Sequence, residues 1–182
     1  DPKVILNEGL LGGMMIIGAK FKNNEVFVPE VLVAARAMNA GLTILEPKLI
    51  EVGNEPLGKA VVGTVQGDLH DIGKNLVVMM LKGAGFEVCD LGVDVESNAF
   101  IKKLKKLVQI LFVCQHYLLQ QCQKLQEVIE LLKEKNLRDK YIVMIGGAPV
   151  NESFCEQIAA DHYTPDAASC ADLAKELVLA KK

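Results

Sequence analysis

One stretch of this sequence gathers groups able to hold a metal or move a proton: Gly67-Asp68-Leu69-His70-Asp71-Ile72-Gly73-Lys74-Asn75. The imidazole of His70 stands between the carboxylates of Asp68 and Asp71. If the segment is extended, the Asp68 side chain reaches the His70 ring. A carboxylate that accepts one ring N–H fixes the tautomer and strengthens the other nitrogen as a metal donor. Zinc wants three or four protein ligands, and His116 and His162 stand elsewhere in the chain with no companion motif. A lone His with a tuning carboxylate suits a metal whose other ligands come from a macrocycle, with the protein supplying one axial site. The plainer alternative is a loop His hydrogen-bonded to Asp68. The segment lacks both the three-glycine dinucleotide fingerprint and the GxxxxGK[ST] phosphate loop.

A second, weaker signal is Gly146-Gly147 at the end of an apolar run, where tandem glycines let backbone lie flat against something large. The five cysteines are scattered with no CxxC pair, which reads as free thiols in a reducing compartment. Met14, Met15, Met38, Met79 and Met80 fit helix packing better than metal ligation. With 20 Lys and Arg against 23 Asp and Glu, the chain has no strongly basic balance for nucleic acid. The run Lys102-Lys103-Leu104-Lys105-Lys106 reads as a solvated helix face. No apolar run reaches membrane-spanning length without interruption. The opening Asp1-Pro2-Lys3 reads as a chain entered partway through, lacking part of its first helix.

Two kinds of periodicity must position these residues. Up to about residue 52 every signal is helical. Leu10, Leu11, Met14, Met15, Ile17, Gly18 and Phe21 form one apolar face; Val31, Ala35, Met38, Leu42 and Leu45 form a second, entered at Pro29. Pro47 is expected to kink or restart that helix. Gly53-Asn54-Glu55-Pro56-Leu57-Gly58 is a break, so 1–55 and 60–182 are expected to be separate domains. Beyond it, five short apolar runs, 60–65, 86–91, 110–114, 141–145 and 162–163, alternate with five helical patterns. That alternation implies βαβ units and a doubly wound, five-stranded parallel sheet. Ligands of such sheets lie at the carboxyl ends of the strands. Those ends are Gly67–Gly73, Gly92–Asp94, Gln115–Tyr117, Gly146–Pro149 and Thr164–Asp166, where polar and glycine residues concentrate.

Asp68-Leu69-His70-Asp71-Ile72-Gly73, within the wider run Val62–Leu76, resembles the DxHxxG motif of cobalamin-binding domains. Met144–Val150, Tyr163–Ala167 and Phe27–Met38 are similar to the same family, the corrinoid proteins of methyltransferase systems, whose module also occurs in cobalamin-dependent methionine synthase. The resemblance implies a helical cap followed by a flavodoxin-like, Rossmann-like cobalamin-binding domain. It implies a corrinoid bound with its nucleotide base displaced from cobalt and His70 in its place, tuned by Asp68. Gly67, Leu69, Asp71, Ile72, Gly73, Gly146 and Gly147 would complete the cofactor site. Gln115 stands where the family usually has Ser, and Tyr117 where it has Leu. The implied function is a methyl carrier cycling between Co(I) and methyl-Co(III), non-catalytic alone. Its implied partners are a substrate-specific corrinoid methyltransferase, an acceptor methyltransferase and a reductive activase, all in the cytoplasm, with no nucleic acid and no membrane. The alternatives are a cobalamin-binding sensor, the binding subunit of a mutase, and a flavodoxin-like domain that binds no corrin.

Overall fold

The structure, a computed structural model, describes residues 1–104, 109–114, 119–148 and 150–181, with backbone alone for 109, 111–114 and 119–121. The first helix, α1 (Pro2–Lys22), is capped by Asp1, whose carboxylate accepts from Lys3 N at 2.8 Å, and contains a π-helical stretch at Ile5–Leu11. The second, α2 (Val28–Glu51), starts with Pro29 in its first turn, and its Glu30 carboxylate accepts from Phe27 N at 2.9 Å. The expected restart at Pro47 does not occur. The helix runs through it to Glu51, because Leu45 and Leu49 on either side are buried in a small cluster with Leu6. That packing offsets the single donor that a proline removes.

Beyond residue 58 the chain alternates β1 (Lys59–Thr64), α3 (Ile72–Gly83), β2 (Glu87–Asp90), α4 (Ser97–Leu104), β3 (Gln109–Cys114), α5 (Leu119–Glu134), β4 (Ile142–Gly146), α6 (Glu152–Ile158), β5 (His162–Tyr163) and α7 (Ala167–Leu179). A 3-10 turn, Arg138–Lys140, precedes β4. All strand pairs are parallel, in the order β2-β1-β3-β4-β5. The strand order reverses between β1 and β3, and the loop after β1 carries His70. This is the switch point where doubly wound sheets hold ligands.

Side chains alternate across the sheet. Ala60, Val62, Ile142 and Met144 face one layer, built from α1, α2, α3 and α7. Val61, Val143 and Ile145 face the other, where Leu125, Val128, Ile129 and Leu132 of α5 are all buried as their spacing predicts. Met14, Met38 and Met80 are buried in the first layer, while Met15 is exposed. Both N-terminal helices are long and apolar enough to cross a membrane by length and composition, although neither holds the unbroken apolar run sought in the sequence. Here their buried residues Met14, Val31, Ala35 and Met38 pack against the sheet's own core.

Two glycines mark close approaches. A Cβ at Gly83 would lie 2.8 Å from Met14 Cβ, so α1 and α3 meet there. A Cβ at Gly63 would lie 2.9 Å from Phe100 Cε1 and 3.3 Å from Leu91 Cβ. Phe100 is fully buried and has little room to give. Gly63→Ala is therefore expected to destabilise by about 1–3 kcal/mol through overpacking, read as a lower denaturant midpoint. An unchanged midpoint would show that the ring moves aside freely.

Candidate functional site

The loop after β1 is built by hydrogen bonds to its own backbone. Gly67 takes φ +87°, a value that suits glycine, and its N–H donates to Asp94 Oδ1 at 2.7 Å. Thr64 Oγ1 donates to Asp68 O at 2.7 Å and accepts from Asp94 N at 3.0 Å. Asp94 N also approaches Asp68 O at 2.9 Å, with Asp94 held at φ +55°. A β-bridge between Val65 and Val95 ties the two strand ends together.

This frame delivers the Asp68 carboxylate to His70. Asp68 Oδ1 accepts from His70 N at 3.0 Å and lies 2.8 Å from His70 Nδ1. The Asp68 side chain is fully buried, whereas the His70 ring is 55% exposed. A buried carboxylate at Nδ1 selects the tautomer with the proton there and leaves the lone pair on Nε2. The pair expected from the sequence is thus present at hydrogen-bond distance.

His70 borders a cavity of about 470 Å³. Asp68, Gly73, Lys74, Leu76 and Val77 line one wall, and Gly146, Gly147 and Ala148 another. Tyr163 through Ala167 close the third, and Phe21 of α1 reaches in from the helical segment. The structure therefore brings the two signals, His70 with Asp68 and the tandem glycines, to one cavity. Gly147 takes φ +132°, again a glycine conformation. A Cβ at Gly73 would meet nothing within 4 Å, so this glycine leaves the wall open rather than easing a contact.

Other expected site residues are placed differently. Leu69 and Ile72 do not line the cavity; they stand 71% and 64% exposed next to the His70 loop and form an apolar rim. Asp71 occupies the N-cap position of α3 without a capping bond and accepts from Asn75 Nδ2 at 3.2 Å. Met38 is packed in the core with Val31 and Ala35. His162 lies within β5, in register with Met144. Gln115, His116, Tyr117 and Pro149 lie outside the described residues.

Thr64, Asp94, Thr164 and Phe21 take part in the site although the sequence singles out none of them as a site residue; Asp94 and Thr164 stand there only as parts of strand ends. Lys74, within the His70 stretch, likewise has no role assigned by the sequence. Its side chain is 3% exposed, and its Nζ donates to Asp90 Oδ2 at 2.6 Å and to Asn75 Oδ1 at 2.7 Å. Asp90 Oδ1 in turn accepts from Gly92 N at 2.8 Å, so the first turn of α3 is tied to the loop that carries Asp94.

The thiols are built for packing. Burial pushes Cys170 up to about 12, with the Thr164 hydroxyl opposing and the Asp166 charge adding. Burial, then the charges of Glu152, Asp161 and Glu156, push Cys155 up to about 11, against the opposing charge of Arg138. Both are neutral thiols near pH 8, so iodoacetamide is expected to leave them intact in the folded protein and to modify them in urea. Because both folded values lie above the ordinary thiol value, the stability they contribute is complete below about pH 9. It is lost as the pH rises toward 11–12.

Comparison with known proteins follows the same lines. A B12-binding-domain model matches residues 58–170, and a second B12-binding-domain model matches residues 1–46. Dimethylamine corrinoid protein 1 of Methanosarcina mazei is 42% identical across 100% of this chain and 84% of its own length. A crystal structure of a cobalamin-binding protein from Desulfitobacterium hafniense superposes with a TM-score of 0.76 at 33% identity, covering 91% of this chain and 78% of that one. The methanol:cobalamin methyltransferase complex of Methanosarcina barkeri gives a TM-score of 0.86 at 27% identity, covering 98% of this chain and 68% of that one. With both the helical and the α/β segments matched, the chain belongs to the B12-binding family of corrinoid proteins of methyltransferase systems.

Proposed function

We propose that this chain is a methyl-carrying corrinoid subunit, and that His70 would hold the cobalt through Nε2. The observation that carries this is the Asp68–His70 pair: a half-exposed ring, oriented by a buried carboxylate, at the switch point of the sheet. The residues present fit a corrinoid. The lone imidazole suits a metal equipped with its own equatorial ligands. Leu69 and Ile72 offer exposed apolar surface beside it for a flat macrocycle to cover. The cavity behind has open wall at Gly73 and a buried hydroxyl, that of Thr164, with no hydrogen bond among the described residues. When bound, the corrinoid supplies a cobalt centre that takes up and gives up a methyl group.

The chain's own residues have defined tasks on this reading. Asp68 holds the Nδ1 proton and so sets how strongly Nε2 donates. Thr64 and Asp94 hold Asp68 in register. Gly73, Gly146 and Gly147 keep the cavity open for the nucleotide end. Residues 1–55 act as a cap and residues 60–182 as the cofactor domain, joined through Gly53 at φ +63°. Residues Val31, Ala35 and Met38 of the cap are buried, so displacing the cap as a unit exposes apolar surface that a partner covers.

The partners on this reading are a substrate-specific methyltransferase, an acceptor methyltransferase and a reductive activase. The relatives' names favour a methylated amine as the methyl source. The free thiols of Cys89, Cys155 and Cys170 suit the reducing cytoplasm. The test is methyl loading. Apo protein reconstituted with hydroxocobalamin and reduced is expected to gain one labelled methyl group per corrinoid from dimethylamine and a dimethylamine methyltransferase. Corrinoid binding with no methyl uptake from methylated amines or methanol would favour a sensor instead.

A further inference from the structure

Asp68, Lys74, Asp166, Thr164 and the half-buried Tyr163 are the polar side chains that line the cavity beside His70, and the first three are engaged. Asp68 holds His70, and Lys74 is paired with Asp90 and Asn75. Asp166 caps α7, its carboxylate accepting from Ser169 N and from Ser169 Oγ, each at 2.8 Å. The fourth is Thr164. It is 4% exposed, and its Oγ1 makes no hydrogen bond among the described residues. The Cys170 thiol lies beside it, a weak partner, itself fully buried. Thr164 N donates to Ile145 O at 3.0 Å, which holds the residue's backbone at the strand end. A buried hydroxyl without a hydrogen bond is costly to keep. Valine has the same shape and would remove that cost.

We infer that the Thr164 hydroxyl is kept for the cofactor: it hydrogen-bonds a polar atom of the corrinoid's nucleotide tail and so selects corrinoids that carry that tail. This deepens the proposed function and rests on it, since the cavity must be where the tail lies. The chemistry required is a hydrogen-bonding atom at the buried end, supplied by a ring nitrogen or amine of the lower base, or by the ribose or phosphate.

The test compares wild type, Thr164→Val and Thr164→Ser in dissociation constants for three corrinoids: cobinamide, which has no nucleotide, cobalamin with its dimethylbenzimidazole base, and an adenine-containing cobamide. Thr164→Val is expected to bind tailed corrinoids about 3- to 10-fold more weakly, the worth of one hydrogen bond. Cobinamide binding is expected to stay unchanged, and Thr164→Ser to restore most of the loss. Loss confined to the adenine form identifies the base edge as the partner; equal loss for both tailed forms identifies the ribose or phosphate. The apo protein's melting temperature is expected to hold or rise in Thr164→Val. Unchanged affinities for all three, or a loss that includes cobinamide, would overturn the inference. A Co(II) spectrum of the cobalamin-loaded wild type that ignores the histidine isotope would instead count against His70 as the cobalt ligand, so the two readings fail separately.

Discussion

His70→Ala is expected to lower corrinoid affinity by at least about 100-fold while leaving the apo fold intact. The magnitude follows from metal sites, where losing a residue that merely orients a ligand already costs about 10- to 100-fold. On the proposed ligation, losing His70 removes the ligand itself and costs at least as much. The fold survives because the ring is 55% exposed and joins neither large core cluster. Circular dichroism and the apo melting temperature check the second half, and absorbance titration with hydroxocobalamin checks the first. A variant that binds as tightly as wild type would show that the tail cavity alone holds the cofactor.

Asp68→Ala is expected to lower corrinoid affinity by about 10- to 100-fold and, unlike the His70 variant, to destabilise the apo protein. One carboxylate oxygen accepts both His70 N and His70 Nδ1. Removing it frees the ring to rotate and to exchange tautomers, so Nε2 no longer presents a lone pair in one direction. It also strips a partner from a loop N–H, a change that costs about 1–3 kcal/mol where the group is kept from water. Asp68→Asn keeps an acceptor oxygen but loses the charge, and is expected to fall between wild type and Ala in affinity. The signature is imidazole 15N shifts in the apo protein: a single Nδ1–H tautomer in wild type, and a mixture in Asp68→Ala. Equal tautomer populations in both would mean that another group orients the ring.

The sheet was legible because its strands are short apolar runs set between amphipathic helices. All five lie within a residue or two of where periodicity puts them, and the α5 face Leu125, Val128, Ile129 and Leu132 is buried as spaced. The restart offered at Pro47 does not occur, because local proline chemistry ignores the Leu45 and Leu49 packing that carries α2 past it. The Asp68–His70 pair was legible because both partners sit on one short loop. Thr64 and Asp94 were not, because their contact spans 30 residues and depends on the register of β1 and β2 and on a left-handed Asp94. Leu69 and Ile72 flank the motif in sequence, yet their side chains turn outward at the loop and the first turn of α3 rather than into the cavity. In the sequence Thr164 stands out only as part of a strand end and of the Tyr163–Ala167 run, and its own part in the site shows in its burial without a hydrogen bond among the described residues.

The most direct test of the account is electron paramagnetic resonance of the protein loaded with cobalamin and reduced to the Co(II) state, prepared once with natural histidine and once with 15N-histidine. If His70 is the lower ligand, each cobalt line is split into three by 14N and collapses to a doublet in the 15N-histidine sample. The His70→Ala sample loses any dependence on the histidine isotope. A splitting that ignores the histidine isotope in wild type, or no nitrogen splitting at all, would contradict ligation by His70.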